Sequence, residues 1–186
     1  MGIYTKAAVF YNTKSGHSKI EKHRVMIQSY FRERQIDLTI VEIPKPQDEI
    51  ASLVTNFCKN GVELFIAAGG DGTASLIGNP LIGTGKPLGI IPLGTGNLLA
   101  KELKIPVKFE KALALVTEEN ANIIQMDTFS LDGRNYLLNL SAGVTPRVME
   151  GTEAEEKRKF GLFAYFLHFV EKLLGLQLHK FDIQID

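Results

Sequence analysis

A single cysteine, Cys58, stands in 186 residues. One thiol excludes an internal disulfide framework and a cysteine-rich zinc site, and the compartment it suits is a reducing, cytoplasmic one. Net charge is missing too: Lys plus Arg and Asp plus Glu both number 21. Such a balance provides no long-range field for nucleic acid or for an anionic membrane, so a nucleic-acid partner is not expected. Spanning a bilayer takes about 20 apolar residues, and the longest apolar stretch, Phe160 to Val170, falls well short. The start, Met1-Gly2-Ile3-Tyr4-Thr5-Lys6, lacks the layout of a signal peptide, and Lys6 occupies the position where a myristoylation signal carries Ser or Thr. The four histidines, His17, His23, His168 and His179, lack metal-ligand spacing. Internal repeats and low-complexity linkers are absent. What is present, 45% hydrophobic and 23% charged residues, describes a soluble chain with material for one sizeable core, or for one domain and the beginning of another.

Read along its length, the chain alternates short apolar runs with helical periodicity. Ala7 to Tyr11 is a continuous apolar run, as in a strand buried on both faces. Ser18 and Glu21 form an S-x-x-E capping box that predicts a helix opening there and running to about Gln35. Leu38 to Ile43 reads as a second strand. Ile50, Leu53, Val54 and Phe57 then fall at i, i+3, i+4 and i+7, one helix stripe, and Asn60-Gly61 stops it. Leu64 to Ala68 and Leu88 to Ile91 are two further strands, each feeding a glycine-rich loop. A short helix after the first of these loops ends at Gly78-Asn79-Pro80. The helix after the second runs to about Leu103, and Phe109, Ala112, Leu113 and Val116 mark another. Strand and helix in regular alternation predict an α/β fold with a parallel sheet covered on both faces. After residue 120 the rhythm changes. Ile123 to Leu131, Asp132-Gly133 and Asn135 to Ser141 read as a hairpin, Phe160 to Leu174 as a very apolar helix, and His179 to Asp186 as one more strand. The expected division is a nucleotide-binding α/β domain over 1–120, and over 121–186 a hairpin, an apolar helix and the start of an incomplete β-rich second domain.

The chemistry sits in loops at the carboxyl ends of strands, where open parallel sheets bind ligands. Gly69-Gly70-Asp71-Gly72-Thr73 follows the Leu64 to Ala68 strand directly. Its glycines let backbone approach a phosphate chain without a Cβ in the way, and N–H groups at the next helix start then donate to phosphate oxygens. An acid inside such a loop is out of place unless a cation or donor compensates it. Asp71 therefore reads as a holder of Mg²⁺ against phosphates; the plain structural alternative is a glycine turn in which Asp71 caps its helix. Thr73 adds a hydroxyl. The second loop, Pro92-Leu93-Gly94-Thr95-Gly96-Asn97, lacks the third glycine of a dinucleotide fingerprint, since Leu99 stands there, and no G-x-x-x-x-G-K-[ST] occurs. Gly83-Thr84-Gly85-Lys86 reads as a surface turn, Cys58 as packing, and Lys14, Lys19 and Arg24 as solvated charges.

Together these segments resemble the catalytic domain of the diacylglycerol kinase family, which includes sphingosine kinases and bacterial lipid kinases. Gly69 to Thr73 matches the family's Gly-Gly-Asp-Gly-Thr signature. Pro92 to Asn97, with Ala100 and Ile105-Pro106 behind it, matches the second signature, and Asn12-Thr13-Lys14-Ser15-Gly16 is similar to its first-strand loop with Thr13 in place of proline. Asp127 with Asn139-x-x-x-Gly143 resembles the next landmark. The match runs in order to residue 186. NAD kinases and phosphofructokinases share Gly-Gly-Asp-Gly, but the Pro-Leu-Gly-Thr-Gly-Asn segment resembles the lipid-kinase branch.

The resemblance implies ATP-dependent phosphorylation of a lipid hydroxyl with Mg²⁺, a reaction that depends on positioning and charge neutralisation. It implies that Asn12, Ser15 and Gly16 line the nucleotide loop. Gly69, Gly70, Asp71, Gly72 and Thr73 then hold phosphates and metal, with Asp71 as metal ligand and catalytic residue, and Gly94, Thr95 and Asn97 close the cleft. Two departures stand against it. The family's Asn-Glu beyond the signature Thr is Ser75-Leu76 here, an aliphatic group expected close to the phosphates. Similar proteins also carry a late Asp-Gly motif, with the general base, in a second domain that only starts here. Alternatives are accordingly a nucleotide-binding regulator without catalysis, and a kinase of a soluble substrate such as NAD. The aromatic run from Phe160 to Phe169 reads as core against a second domain, or as a peripheral membrane contact for a lipid enzyme. Self-association through 160–186 into a homo-oligomer is the further expectation.

Overall fold

The computed structural model describes residues 4–13, 17–43, 47–118, 121–131 and 134–137, all within the compact unit Met1–Leu138. Strand β1 (Lys6–Asn12) and helix α1 (His17–Glu33) are followed by β2 (Asp37–Ile43), α2 (Gln47–Lys59) and β3 (Leu64–Gly69). Helix α3 (Asp71–Gly78) continues into a 3-10 turn, Asn79–Leu81; then come β4 (Leu88–Pro92), α4 (Leu98–Glu102) and α5 (Phe109–Leu115). Strands β5 (Phe129–Leu131) and β6 (Arg134–Tyr136) close the described chain.

The main sheet is four-stranded and parallel throughout, in the order β2-β1-β3-β4. Alternate side chains of each strand enter opposite layers. Ala8 and Phe10 of β1 and Phe65 and Ala67 of β3 pack with Ile50 and Val54 of α2 and Ala74 and Ile77 of α3. On the other face Val9 of β1 and Ile66 and Ala68 of β3 pack with Ile27 and Phe31 of α1 and Ala112 and Leu113 of α5. Double burial is why the central strands carry continuous apolar runs; all six residues of β3 are buried. The expected α/β fold with helices on both faces is the one observed.

Most element ends lie within a residue or two of expectation. The stripe Ile50, Leu53, Val54 and Phe57 faces one core layer, and Gly61, at φ +78°, ends that helix as its position after Asn60 predicts. Two boundaries differ. Helix α1 begins at His17, so Ser18 stands inside its first turn rather than ahead of it. Among the described residues the hairpin pairs Phe129↔Tyr136, Ser130↔Asn135 and Leu131↔Arg134, antiparallel, and the rest of its expected second strand, 138–141, lies outside them. Ile123 to Thr128 has strand-like composition but is not strand, and Ile123 and Ile124 are exposed. The expected helix over Phe160 to Leu174, the strand from His179 and the landmark Asn139-x-x-x-Gly143 lie outside the described residues.

Among the described residues no helix is long and apolar enough to cross a membrane.

Candidate nucleotide site

Strand order places the site. Chain reversal occurs between β1 and β3, which are adjacent although the helix after β1 packs on one face and the helix after β3 on the other. Loops leaving these two strands therefore diverge, and the crevice between them is the place where open α/β sheets take ligands. Asn12 ends β1 and Gly69 ends β3, so the parallel register brings both to the same sheet edge, with Pro92 of β4 beside Gly69. Asn12 Nδ2 donates to Thr73 Oγ1 across the crevice at 3.1 Å. Thr73 is buried although polar, and its hydroxyl folds back over Gly69, where a Cβ would collide with it. Ser15 and Gly16, expected in the loop after β1, lie outside the described residues.

The two glycine loops fit into one another. Leu93 N–H donates to Gly69 O at 2.9 Å. Just beyond, the backbones of Gly70 and Gly94 meet so closely that a Cβ on Gly94 would stand 2.5 Å from Gly70 Cα. No side chain fits that contact, so glycine is required at 94 by packing rather than by dihedral angle. Asn97 closes the second loop on itself. Its Oδ1 accepts Gly94 N–H at 2.9 Å and its Nδ2 donates to Gly94 O at 2.7 Å. To do so it adopts the left-handed conformation, φ 48° and ψ 47°, which asparagine tolerates better than most residues. Thr95, at the tip, is exposed.

Asp71 is the first residue of α3, whose N-cap Gly70 has no side chain to offer. Its carboxylate faces the second loop: Oδ1 accepts the N–H of Leu99, in the first turn of α4, at 3.0 Å. Asp71 is thus a cap, but of another helix than its own. Gly72, the next residue, is exposed, and a Cβ there would meet nothing within 4 Å. Open space above one glycine and backbone contact at the other two divide the roles. Gly70 and Gly94 lock the loops, while Gly72 leaves its surface clear.

Ser75 and Leu76, at the places of the family's Asn-Glu, follow on α3. Leu76 is half-buried and packs on the core layer shared with α2, so its side chain serves the core. Arg24 pairs with Glu42 of β2 at 3.1 Å, as a surface charge. The turn around Gly83 and Gly85 is exposed, with both glycines at positive φ. Cys58 packs at the edge of the core, where burial pushes its thiol up while nearby Lys86 pulls it down.

The sequence marks one residue beside the site, His23, only as a histidine without metal-ligand spacing. His23 of α1 stacks on Phe109 of α5 at 3.9 Å and 6°, and its Nδ1 lies 2.9 Å from Tyr11 Oη, one residue before Asn12. A histidine on a helix with polar neighbours reads as surface. Only packing α1 and α5 onto the same face of β1 makes it an anchor for the end of the strand.

A chelating set does not form by itself: among the described residues no three His, Cys, Asp or Glu side chains come together. The donor chemistry nonetheless fits Mg²⁺ bound with a nucleotide. That ion keeps most of its ligands as water and phosphate oxygen and takes only one or two carboxylates from protein. Asp71 is the carboxylate that the two glycine loops offer for such a role.

The family model described as diacylglycerol kinase catalytic domain matches residues 6–129. A "Probable lipid kinase YegS-like" of Serratia proteamaculans (strain 568) is 30% identical over 169 residues, covering 88% of this chain and 54% of the relative. A "Probable lipid kinase YegS" of Escherichia coli O6:K15:H31 (strain 536 / UPEC) is 32% identical over 157 residues, covering 81% of this chain and 52% of the relative. In three dimensions the chain is similar to the crystal structure of a diacylglycerol kinase from Bacillus anthracis str. Sterne. The TM-score is 0.62 at 24% identity, over 73% of this chain and 50% of that one. The chain spans about half the length of the curated relatives it matches.

Proposed function

Because the chain belongs to the diacylglycerol kinase catalytic-domain family, we propose that it is the nucleotide-binding portion of a kinase that transfers the γ-phosphoryl group of ATP to a lipid hydroxyl. The observation that carries this reading is the meeting of the end of β1, at Asn12, with the loops after β3 and β4 beside the switch point of the sheet. The two loops are locked together through Gly70 and Gly94, and one glycine, Gly72, is left clear. In this reading the phosphates lie over Gly70, Asp71, Gly72 and Thr73 at the start of α3, ahead of the first helix bonds, in which Thr73 N–H and Ala74 N–H donate to Gly70 O. Gly69 and Thr73 shape the floor, Asn12 steers the Thr73 hydroxyl, and Gly94, Thr95 and Asn97 form the opposing lip. Asp71 is the residue that would hold Mg²⁺, which supplies charge neutralisation on the transferred group. Ser15 and Gly16 are proposed to complete the nucleotide loop.

The reading extends to a domain division near residue 120, a cytoplasmic protein touching the membrane peripherally to reach its lipid, and a homo-oligomer. Calorimetry with ATP and MgCl₂ tests the core of it. Binding is expected in the range up to millimolar, weakened by Gly72→Asp, which sets a carboxylate into the open space above the loop. A folded chain that takes up no ATP at millimolar concentration sinks the proposal.

A further inference from the structure

Asp71 has a structural task apart from any cation. Helix α4 starts from Asn97, whose side chain makes no cap hydrogen bond to the helix, because both ends of its amide are spent on Gly94. Free N–H groups in the first turn of a helix need an acceptor from elsewhere. Leu99 N–H finds one 28 residues away in sequence, Asp71 Oδ1, at 3.0 Å. The other oxygen, Oδ2, lies against Gly96: a Cβ on Gly96 would stand 3.3 Å from it. The loops are already joined at their base by the Leu93 N–H to Gly69 O bond and by the Gly70–Gly94 contact. The Asp71–Leu99 bond joins them again at the far end, so that residues 69–73 and 93–99 are held at both ends.

We propose that the carboxylate of Asp71 is divided between two jobs: Oδ1 clamps the second glycine loop and α4 onto the first, and Oδ2 is the oxygen left to face a cation. The clamp makes Asp71 a positioning residue and depends only on the contacts above. The cation half rests on the nucleotide reading of the site. Charge is needed for the second job and only an oxygen acceptor for the first, so the two separate under substitution. Asparagine in place of Asp71 keeps an oxygen of the same reach without the charge; alanine keeps neither.

Asp71→Asn and Asp71→Ala are compared with the parent chain by amide hydrogen exchange at Leu99 and by ATP calorimetry with and without Mg²⁺. Losing a side-chain cap costs about fivefold in a local equilibrium. Leu99 exchange is therefore expected to rise about fivefold or more in D71A and to stay within about twofold in D71N. In EDTA, where only the clamp separates the two variants, D71N is expected to bind ATP about fivefold more tightly than D71A. Both variants are expected to lose the gain in affinity that Mg²⁺ brings to the parent. Equal Leu99 exchange in D71A and parent, or equal loosening in D71N and D71A, overturns the clamp. Should D71A fail to fold, the Leu99 amide proton resonance decides. A charged acceptor shifts it downfield in the parent and less so in D71N, and a random-coil position in the parent overturns the clamp. Failure of the parent to bind ATP overturns the cation half and the nucleotide reading together, while the Leu99 readouts still judge the clamp.

Discussion

Three glycines of the two loops look equivalent in sequence and differ in what surrounds them. A methyl at Gly94 has to displace the backbone of Gly70, which is not the flexible end of a side chain and does not give way cheaply. Overpacking of this kind costs about 1–3 kcal/mol, and for a chain of this size each kcal/mol is about 2–4 °C in Tm. Gly94→Ala is expected to lower Tm accordingly in a thermal melt and to weaken nucleotide binding, since the loops must part. Gly72→Ala is expected to do the opposite to stability. It lies in the first turn of α3 with nothing within 4 Å, so alanine restricts the unfolded chain and raises stability by up to about 1 kcal/mol. Its binding of ATP should nevertheless fall, because the methyl occupies the clear surface. A stable Gly72→Ala with undiminished ATP affinity counts against phosphates at that loop.

Between elements, the end of the sheet away from the glycine loops is closed by a carboxylate. Glu63, just before β3, accepts Thr5 N–H at 2.6 Å, the Thr5 hydroxyl at 3.1 Å and Lys6 N–H at 3.4 Å, tying the start of β1 to the start of β3. The backbone N–H of Thr5 is the main cause that holds its carboxyl below the ordinary value of 4.5, followed by the Thr5 hydroxyl. A group whose folded-state pKa is depressed stabilises where it is ionised, above the ordinary value, and loses that contribution as pH falls through its folded value. Glu63→Gln is thus expected to lower Tm near neutral pH, with the gap to the parent closing as pH falls below 4.5. A gap that is the same at pH 7 and in acid would show that the charge plays no part. At the other end of the sheet, Tyr11, His23 and Phe109 lock α1, β1 and α5 together through a ring stack and a side-chain hydrogen bond.

Taken whole, the described unit has a doubly covered sheet and several large apolar side chains that stay exposed among the described residues. Ile123 is 62% and Ile124 58% exposed, with Met126 also open to solvent, in the stretch that leads into β5. Apolar side chains exposed close together along the chain make a candidate contact with another macromolecule, and a two-stranded ribbon such as β5–β6 is marginal alone in water. Self-association of the chain is expected, visible as a sedimentation coefficient that rises with concentration across the micromolar range. Replacing Ile123 and Ile124 by Lys should return it to the monomer value. Monomers at every concentration, or association indifferent to the two lysines, would count against self-association through Ile123 and Ile124; the contact expected through 160–186 lies outside the described residues.

What the sequence determined by itself was whatever depends on neighbours along the chain. Ala7 to Tyr11 and Leu64 to Ala68 announced strands covered on both faces because double burial leaves no polar alternation, and the stripe from Ile50 to Phe57 announced which face α2 would bury. Gly69 to Thr73 and Pro92 to Asn97 announced loops built for close backbone approach, and their order along the chain carried the family resemblance. Tertiary structure decided what depends on distant partners. The acceptor for Leu99 N–H is a side chain 28 residues away, and a backbone N–H leaves no mark in the sequence to say who caps it. Leu76 looked like a change beside the phosphates until the rotation of α3 turned it to the core. Ile123 to Thr128 looked like a strand, but β-structure is a property of pairs, and among the described residues of that stretch only Phe129 to Leu131 is paired. Composition and period are written residue by residue; pairing, capping and the choice between core and cleft arise only when segments far apart in the chain are brought to the same place.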